Sequence, residues 1–94
     1  MSKEKMMLKL YISGITPENQ DSILKFKKLL QEKCGDHYSL EVIDVFDHPE
    51  LAESEKIIAT PTLLRSLPIP VQKIIMDFSD HKKLLFGIDL IINK

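Results

Sequence analysis

"IIATPTLLRSLPIPVQKII", residues 57–75, places Pro61, Pro68 and Pro70 within ten positions, between two apolar runs. How the second run folds decides the architecture of the C-terminal half. In one layout, 61–66 and 71–78 form an antiparallel hairpin, with prolines at its entry and its turn. In the other, 71–78 is a helix: Val71, Ile74, Ile75 and Phe78 stand at i, i+3, i+4 and i+7, and Pro70 suits a helix start.

The stretch "KKLLFGIDLIIN", residues 82–93, is ambiguous in the opposite sense. Leu84, Leu85, Ile88, Ile91 and Ile92 make a helical stripe, whereas Phe86, Ile88, Leu90 and Ile92 alternate as a strand does. Gly87 in its middle weakens a helix by about 1 kcal/mol relative to Ala. Periodicity leaves both segments open.

The N-terminal half is better specified. Residues 7–13 alternate around Leu8, Leu10 and Ile12 and read as a strand ending at Gly14. Thr16 as N-cap, Pro17 at the first helical position and Glu18 in the first turn then announce a helix. Its apolar arc holds Ile23, Phe26, Leu29, Leu30 and Cys34, so one side packs on a sheet. Gly35 and Asp36 stop it, and "YSLEVIDVF", 38–46, has the near-continuous apolar character of a buried parallel strand. Strand, helix and strand make a right-handed βαβ unit. With the hairpin layout, 49–58 is a short helix and 80–92 a closing helix, which completes a thioredoxin-like α/β fold over residues 1–94 as a single domain.

Composition narrows the function. The 94 residues are 44% apolar, enough for one core and not for two. A net charge of −1 removes the long-range field that drives non-specific binding, so neither nucleic acid nor membrane is an expected partner. Lys9 interrupts the only apolar run near Met1 that a signal peptide needs, and a lone cysteine forms no internal disulfide, which points to the cytoplasm.

A thioredoxin-type enzyme needs a low-pKa thiolate at the start of the first helix and a second cysteine three residues on. Here that place reads Gly14-Ile15-Thr16-Pro17-Glu18-Asn19, without a thiol. Cys34 lies near the other end of the helix on its apolar arc, where it reads as a small buried hydrophobe. His37, His48 and His81 lack partners at metal-ligand spacing. No catalytic set, metal site or cofactor motif is therefore expected, and the chain does not read as an enzyme. Seven carboxylates between Asp36 and Glu55, with no Lys or Arg among them, form either a solvated face or an acidic patch for a basic groove on a partner. Lys25, Lys28 and Lys33 give the first helix a modest basic outer side.

Five stretches in register resemble the KaiB family of circadian clock proteins: LKLYISG (8–14) with Thr16-Pro17, VIDV (42–45), PELAESEKIIATPTL (49–63), LPIPVQKII (67–75) and LLFGIDL (84–90). The resemblance implies a non-catalytic partner of a KaiC-type ATPase ring, docking through the first helix and second strand with Lys25, Lys28, Glu41 and Asp44 at that face. It also implies two folds. One is a resting homo-oligomer, a dimer or tetramer, whose C-terminal half runs βααβ; the other is a thioredoxin-like monomer whose C-terminal half runs αββα. Pro61, Pro68, Pro70, Gly87 and Asp89 fall in the part that would exchange, the prolines as slow joints. Two packings of one sequence separated by a few kcal/mol are the physics such a switch needs.

Three departures from the family pattern concern partner faces. Glu41 stands where a basic residue is usual, Ile23 where an Arg is common, and Gln72-Lys73 where two Arg follow Pro-Val. They put contact with the third clock protein, KaiA, in question. A different role is a redox-inert thioredoxin-like adaptor acting on a histidine kinase.

Overall fold

The computed structural model describes residues 5–93, which form seven elements. They are β1 (Met6–Ile12), α1 (Pro17–Cys34), β2 (Tyr38–Asp44), α2 (Pro49–Ser54), β3 (Thr62–Leu67), β4 (Gln72–Ile75) and α3 (His81–Ile92). The strands make one sheet in the order β2-β1-β3-β4. β1 and β2 are parallel, with Leu10 opposite Val42, and α1 connects them, as the βαβ reading requires. β3 runs antiparallel to both β1 and β4.

Alternation along β1 sorts the core into two layers. Leu8, Leu10 and Ile12 face Ile23, Phe26 and Leu30 of α1 and Leu84, Ile88 and Ile91 of α3. Tyr11 faces the other way and packs with Ile43 and Leu64 under Leu51 of α2. Burying each of these large apolar side chains stabilises the fold by about 1.5–3 kcal/mol, so the layer beneath α1 and α3 dominates.

The expected start of α1 is present in detail. The Thr16 hydroxyl accepts from the Asn19 N–H at 3.1 Å, Pro17 opens the helix and Glu18 lies in its first turn. The second strand is shorter than expected. Phe46 leaves it because the Asp44 carboxylate accepts the Phe46 N–H at 2.9 Å, closing a turn.

The C-terminal half takes the hairpin layout. Residues 72–75 pair with β3, Thr62 opposite Ile75 and Leu64 opposite Lys73. The helical spacing of Val71, Ile74, Ile75 and Phe78 never becomes one face. Ile74 turns to the core, Val71 and Ile75 are exposed, and Phe78 meets the Phe26 ring at 5.7 Å. Long-range strand pairing overrides the local period. In 81–92 the helical stripe prevails: Leu84, Ile88 and Ile91 are buried and Phe86 points to solvent. Asp80 caps this helix, its carboxylate accepting the Lys82 and Lys83 N–H groups at 2.9 and 3.2 Å. The peptide bonds preceding Pro61, Pro68 and Pro70 are all cis.

Candidate partner-binding face

β2 is an edge strand, and α1 crosses the sheet beside it. Between them lies an apolar groove of about 340 Å³, lined by Ile12, Ile15, Ile23, Leu24 and Val42, with Gln20 and Lys27 on its rim. Ile15 and Leu24 are 60% and 64% exposed and lie side by side in this groove, which makes a contiguous apolar patch of them. Phe46, 72% exposed, adds a third apolar side chain near the same end of the sheet. Gly14, at φ +80°, lets the chain turn there, and a Cβ on it would sit 3.4 Å from the Phe46 ring.

The loop that carries Ile15 is pinned by Asp44. One carboxylate oxygen accepts the Gly14 N–H at 3.0 Å as well as the Phe46 N–H, joining the β1–α1 loop to the end of β2. Asn19 adds a second tie, its side-chain amide donating to the Gly14 carbonyl at 2.7 Å. Asp44 is thus half-buried and engaged, a scaffold for the groove.

The four residues expected at the face do not form one cluster. Lys25 and Lys28 are exposed on α1. Glu41 alternates with Leu40 and Val42, which pack beneath α1, so it points to the opposite, α2 side of the sheet. There it lies close enough to Tyr11, with Glu55, to help burial push that phenol's pKa up. Ile15 and Leu24 escaped the sequence reading. Leu24 follows Ile23 by about 100° around the helix, outside the apolar arc, and was the available signal.

At the position of a thioredoxin redox centre, a pocket of about 200 Å³ is lined by Ser13, Asn19, Ser22, Thr60, Pro61 and Phe78. The Ser13 and Thr60 hydroxyls hydrogen-bond there at 2.5 Å. Neither is activated by a nearby base among the described residues. Cys34 is remote from this pocket, and burial pushes its thiol pKa up against the opposing pull of Lys33. Among the described residues, no group of His, Cys, Asp and Glu is placed to hold a metal ion, and no helix is long and apolar enough to cross a membrane.

The expected exchange residues are spread over the C-terminal half. The Pro61 carbonyl accepts the Met76 N–H at 2.8 Å and the Pro70 carbonyl accepts from Arg65 at 3.0 Å. Pro68 is exposed in the β3–β4 turn. Gly87 is buried against Met76, where a Cβ would come within 2.9 Å of the thioether sulfur. The Asp89 carboxylate pairs with Lys33 of α1 at 2.9 Å.

The KaiB domain model matches residues 9–90. The chain belongs to the KaiB family. Its KaiB relatives include "Circadian clock oscillator protein KaiB" of Microcystis aeruginosa, 48% identical over 89 residues, covering 95% of this chain and 86% of that protein. "Circadian clock protein KaiB3" of Synechocystis is 43% identical over 91 residues, 97% of this chain and 89% of the relative. Among solved structures, the N-terminal domain of Synechococcus elongatus SasA superposes with a TM-score of 0.75 at 22% identity, covering 99% of this chain and 88% of that one. The germline thioredoxin Deadhead of Drosophila melanogaster follows at 0.68 and 18% identity, covering 94% and 82%. At those identities the likeness is one of fold: this KaiB-family chain has the thioredoxin-like arrangement.

Proposed function

We propose that the chain is a non-catalytic clock regulator that docks on a KaiC-type ATPase ring and modulates its phosphorylation cycle. The observation that carries this reading is the α1–β2 groove. It is an apolar, exposed patch, with Ile15 and Leu24 as anchors and Lys27 on its rim. An apolar centre with a charged border is the usual anatomy of a protein interface. With a net charge of −1, recognition falls to such local shape.

The same reading includes an exchange of the C-terminal half. The arrangement described above is the docking form, and the free chain also populates a homo-oligomeric resting form in the cytoplasm. If the docking form were about 1% populated, apparent affinity would fall roughly a hundredfold, and slow exchange would then act as a delay. KaiA contact is not part of the proposal, given Glu41 on the α2 side.

The test is co-migration of the chain with a cognate ring on size exclusion after hours with ATP. Leu24→Glu, at an exposed position, should abolish co-migration and leave the far-ultraviolet spectrum unchanged. Absence of co-migration of the unaltered chain under every nucleotide condition would sink the reading. Selective retention of the chain by a histidine kinase instead of the ring would favour the adaptor role, whose only support is the fold shared with the SasA domain.

A further inference from the structure

β4 ends the sheet on the side away from β2, so one of its two rows of backbone groups faces away from β3. The register decides which row. The Met76 N–H donates to the Pro61 carbonyl at 2.8 Å, and in an antiparallel ladder bonded and non-bonded positions alternate. Gln72 and Ile74 therefore spend their N–H and C=O on β3, opposite Arg65 and Leu63, while those of Lys73 and Ile75 point outward. An outward row of this kind is a template for a further strand.

The side chains beside that row favour occupation. Lys73 and Ile75 lie opposite Leu64 and Thr62 and share the α2 side of the sheet with them. There an apolar groove of about 220 Å³ runs between β4 and the segment after α2, with Ile58 and Ile75 in its walls. Ile58 is 89% exposed, and Ile75 and Val71 are exposed as well. A lysine on an edge strand commonly keeps other strands away. Lys73 is not placed to do so, because its ammonium is drawn back over the sheet onto the Glu55 and Lys56 carbonyls, at 2.9 and 3.2 Å. Two of the three ammonium N–H groups are spent there, and the third remains for an acceptor.

Charge selects the occupant. The charged side chains lining the groove, Lys56 and Lys73, are both cations. A second copy of the chain adding by the same edge over 71–75 would set Lys73 opposite its own counterpart, and like charges so placed oppose pairing, whereas an acid there supports it. We propose that β4 is a strand-addition site for an extended segment of a partner protein, with an apolar residue opposite Ile75, an acid opposite Lys73 and an apolar residue opposite Val71. The segment runs antiparallel, the more stable pairing, and reads apolar, any, acidic, any, apolar from its own N-terminus. Its backbone takes the outward groups of Lys73 and Ile75, its first apolar side chain packs on Ile75 and Ile58, and its carboxylate takes the third Lys73 N–H. The site needs only 72–75 as a strand, and it holds whether or not a ring docks at the α1–β2 groove on the other edge of the sheet.

The probe is a short blocked peptide centred on Ile-Thr-Glu-Thr-Val, titrated to about 2 mM into the full isotope-labelled chain and followed by amide NMR. Shifts should concentrate at 56–58 and 71–75, and near saturation the Lys73 and Ile75 amides should exchange at least about threefold more slowly. The same peptide with its Glu amide N-methylated forfeits the bond to the Lys73 carbonyl and should bind at least about fivefold more weakly. A peptide with Lys in place of Glu should bind at least about threefold more weakly at low salt, and Lys73→Glu in the chain should reverse that order. Ile58→Glu, at an exposed position, should weaken the Glu peptide at least about threefold. No shift at 71–75 at that concentration, or equal binding of the N-methylated peptide, overturns the proposal. A dimer of the chain in which 72–75 keep strand shifts and the Lys73 and Ile75 amides are protected without peptide overturns it too, giving the edge to a second copy. Should Lys73→Glu not fold, the peptide series on the unaltered chain decides alone.

Discussion

Replacing Asp44 by Ala tests whether the docking groove is built on a carboxylate that receives two backbone N–H groups. The donors are Gly14 at 3.0 Å and Phe46 at 2.9 Å. Hydrogen bonds to a charged acceptor contribute about 1.5–3 kcal/mol each in protected surroundings. Asp44 is half-buried and water can reach both N–H groups once it is gone, so the low end applies. The expected loss is about 1.5–3 kcal/mol for the pair together. In a domain of this size, that lowers Tm by about 6–24 °C. Asp44→Asn keeps an acceptor oxygen without the charge and should lose about half as much. Glu41→Ala, exposed on the neighbouring face, serves as the control and should stay within about 0.5 kcal/mol of the unaltered chain. Urea melts at pH 7 measure all three. An Asp44→Ala variant within about 0.5 kcal/mol of the unaltered chain would refute the reasoning, because the loop would then be held by something else.

Two further outcomes follow from local geometry. Lys56 has φ +56° just after α2, with the Ile57 N–H on the Ala52 carbonyl at 2.8 Å and its own N–H on the Glu53 carbonyl at 3.1 Å. A glycine is favoured at such a helix end, so Lys56→Gly should stabilise by about 0.5–1 kcal/mol after its own entropy cost, read as a higher urea midpoint at unchanged slope. Cys34, whose thiol is pushed up by burial, should react with iodoacetamide near neutral pH at least about tenfold more slowly in the folded chain than in urea. Equal rates would return Cys34 to consideration as a reactive group.

Local chemistry made some of the fold legible. Thr16, Pro17 and Glu18 write the start of α1 in residues whose effects act within one turn, and the structure has each of them in its role. In 82–93 the spacing allowed a helix or a strand, and of the two the helical stripe of Leu84, Ile88 and Ile91 is the one that is buried. The segment 71–78 misleads because its four apolar residues carry a helical spacing, while its strand state is decided by pairing with β3. No local pattern reports that pairing. Arg65 was illegible for the same reason: a cation in an apolar strand reads as an edge or surface position until the end of α3 is placed over it. At the candidate site, Lys25 and Lys28 were found on the surface of α1, but Glu41 parted from them because one-residue alternation sends it through the sheet. Asp44 was placed at the face by the resemblance alone, and its tie to Gly14, thirty residues away in sequence, has no local signal.

The proposed exchange of the C-terminal half between two arrangements, with the ring selecting the one described above, has a direct spectroscopic readout. Amide NMR of residues 57–92, with and without the ring, tests this directly. The expected result is two slowly exchanging sets of signals, or one oligomeric set, in the free chain. Both should collapse on binding to a single set with strand shifts at 72–75 and helix shifts at 81–92. One set with these same shifts in both states would contradict the exchange.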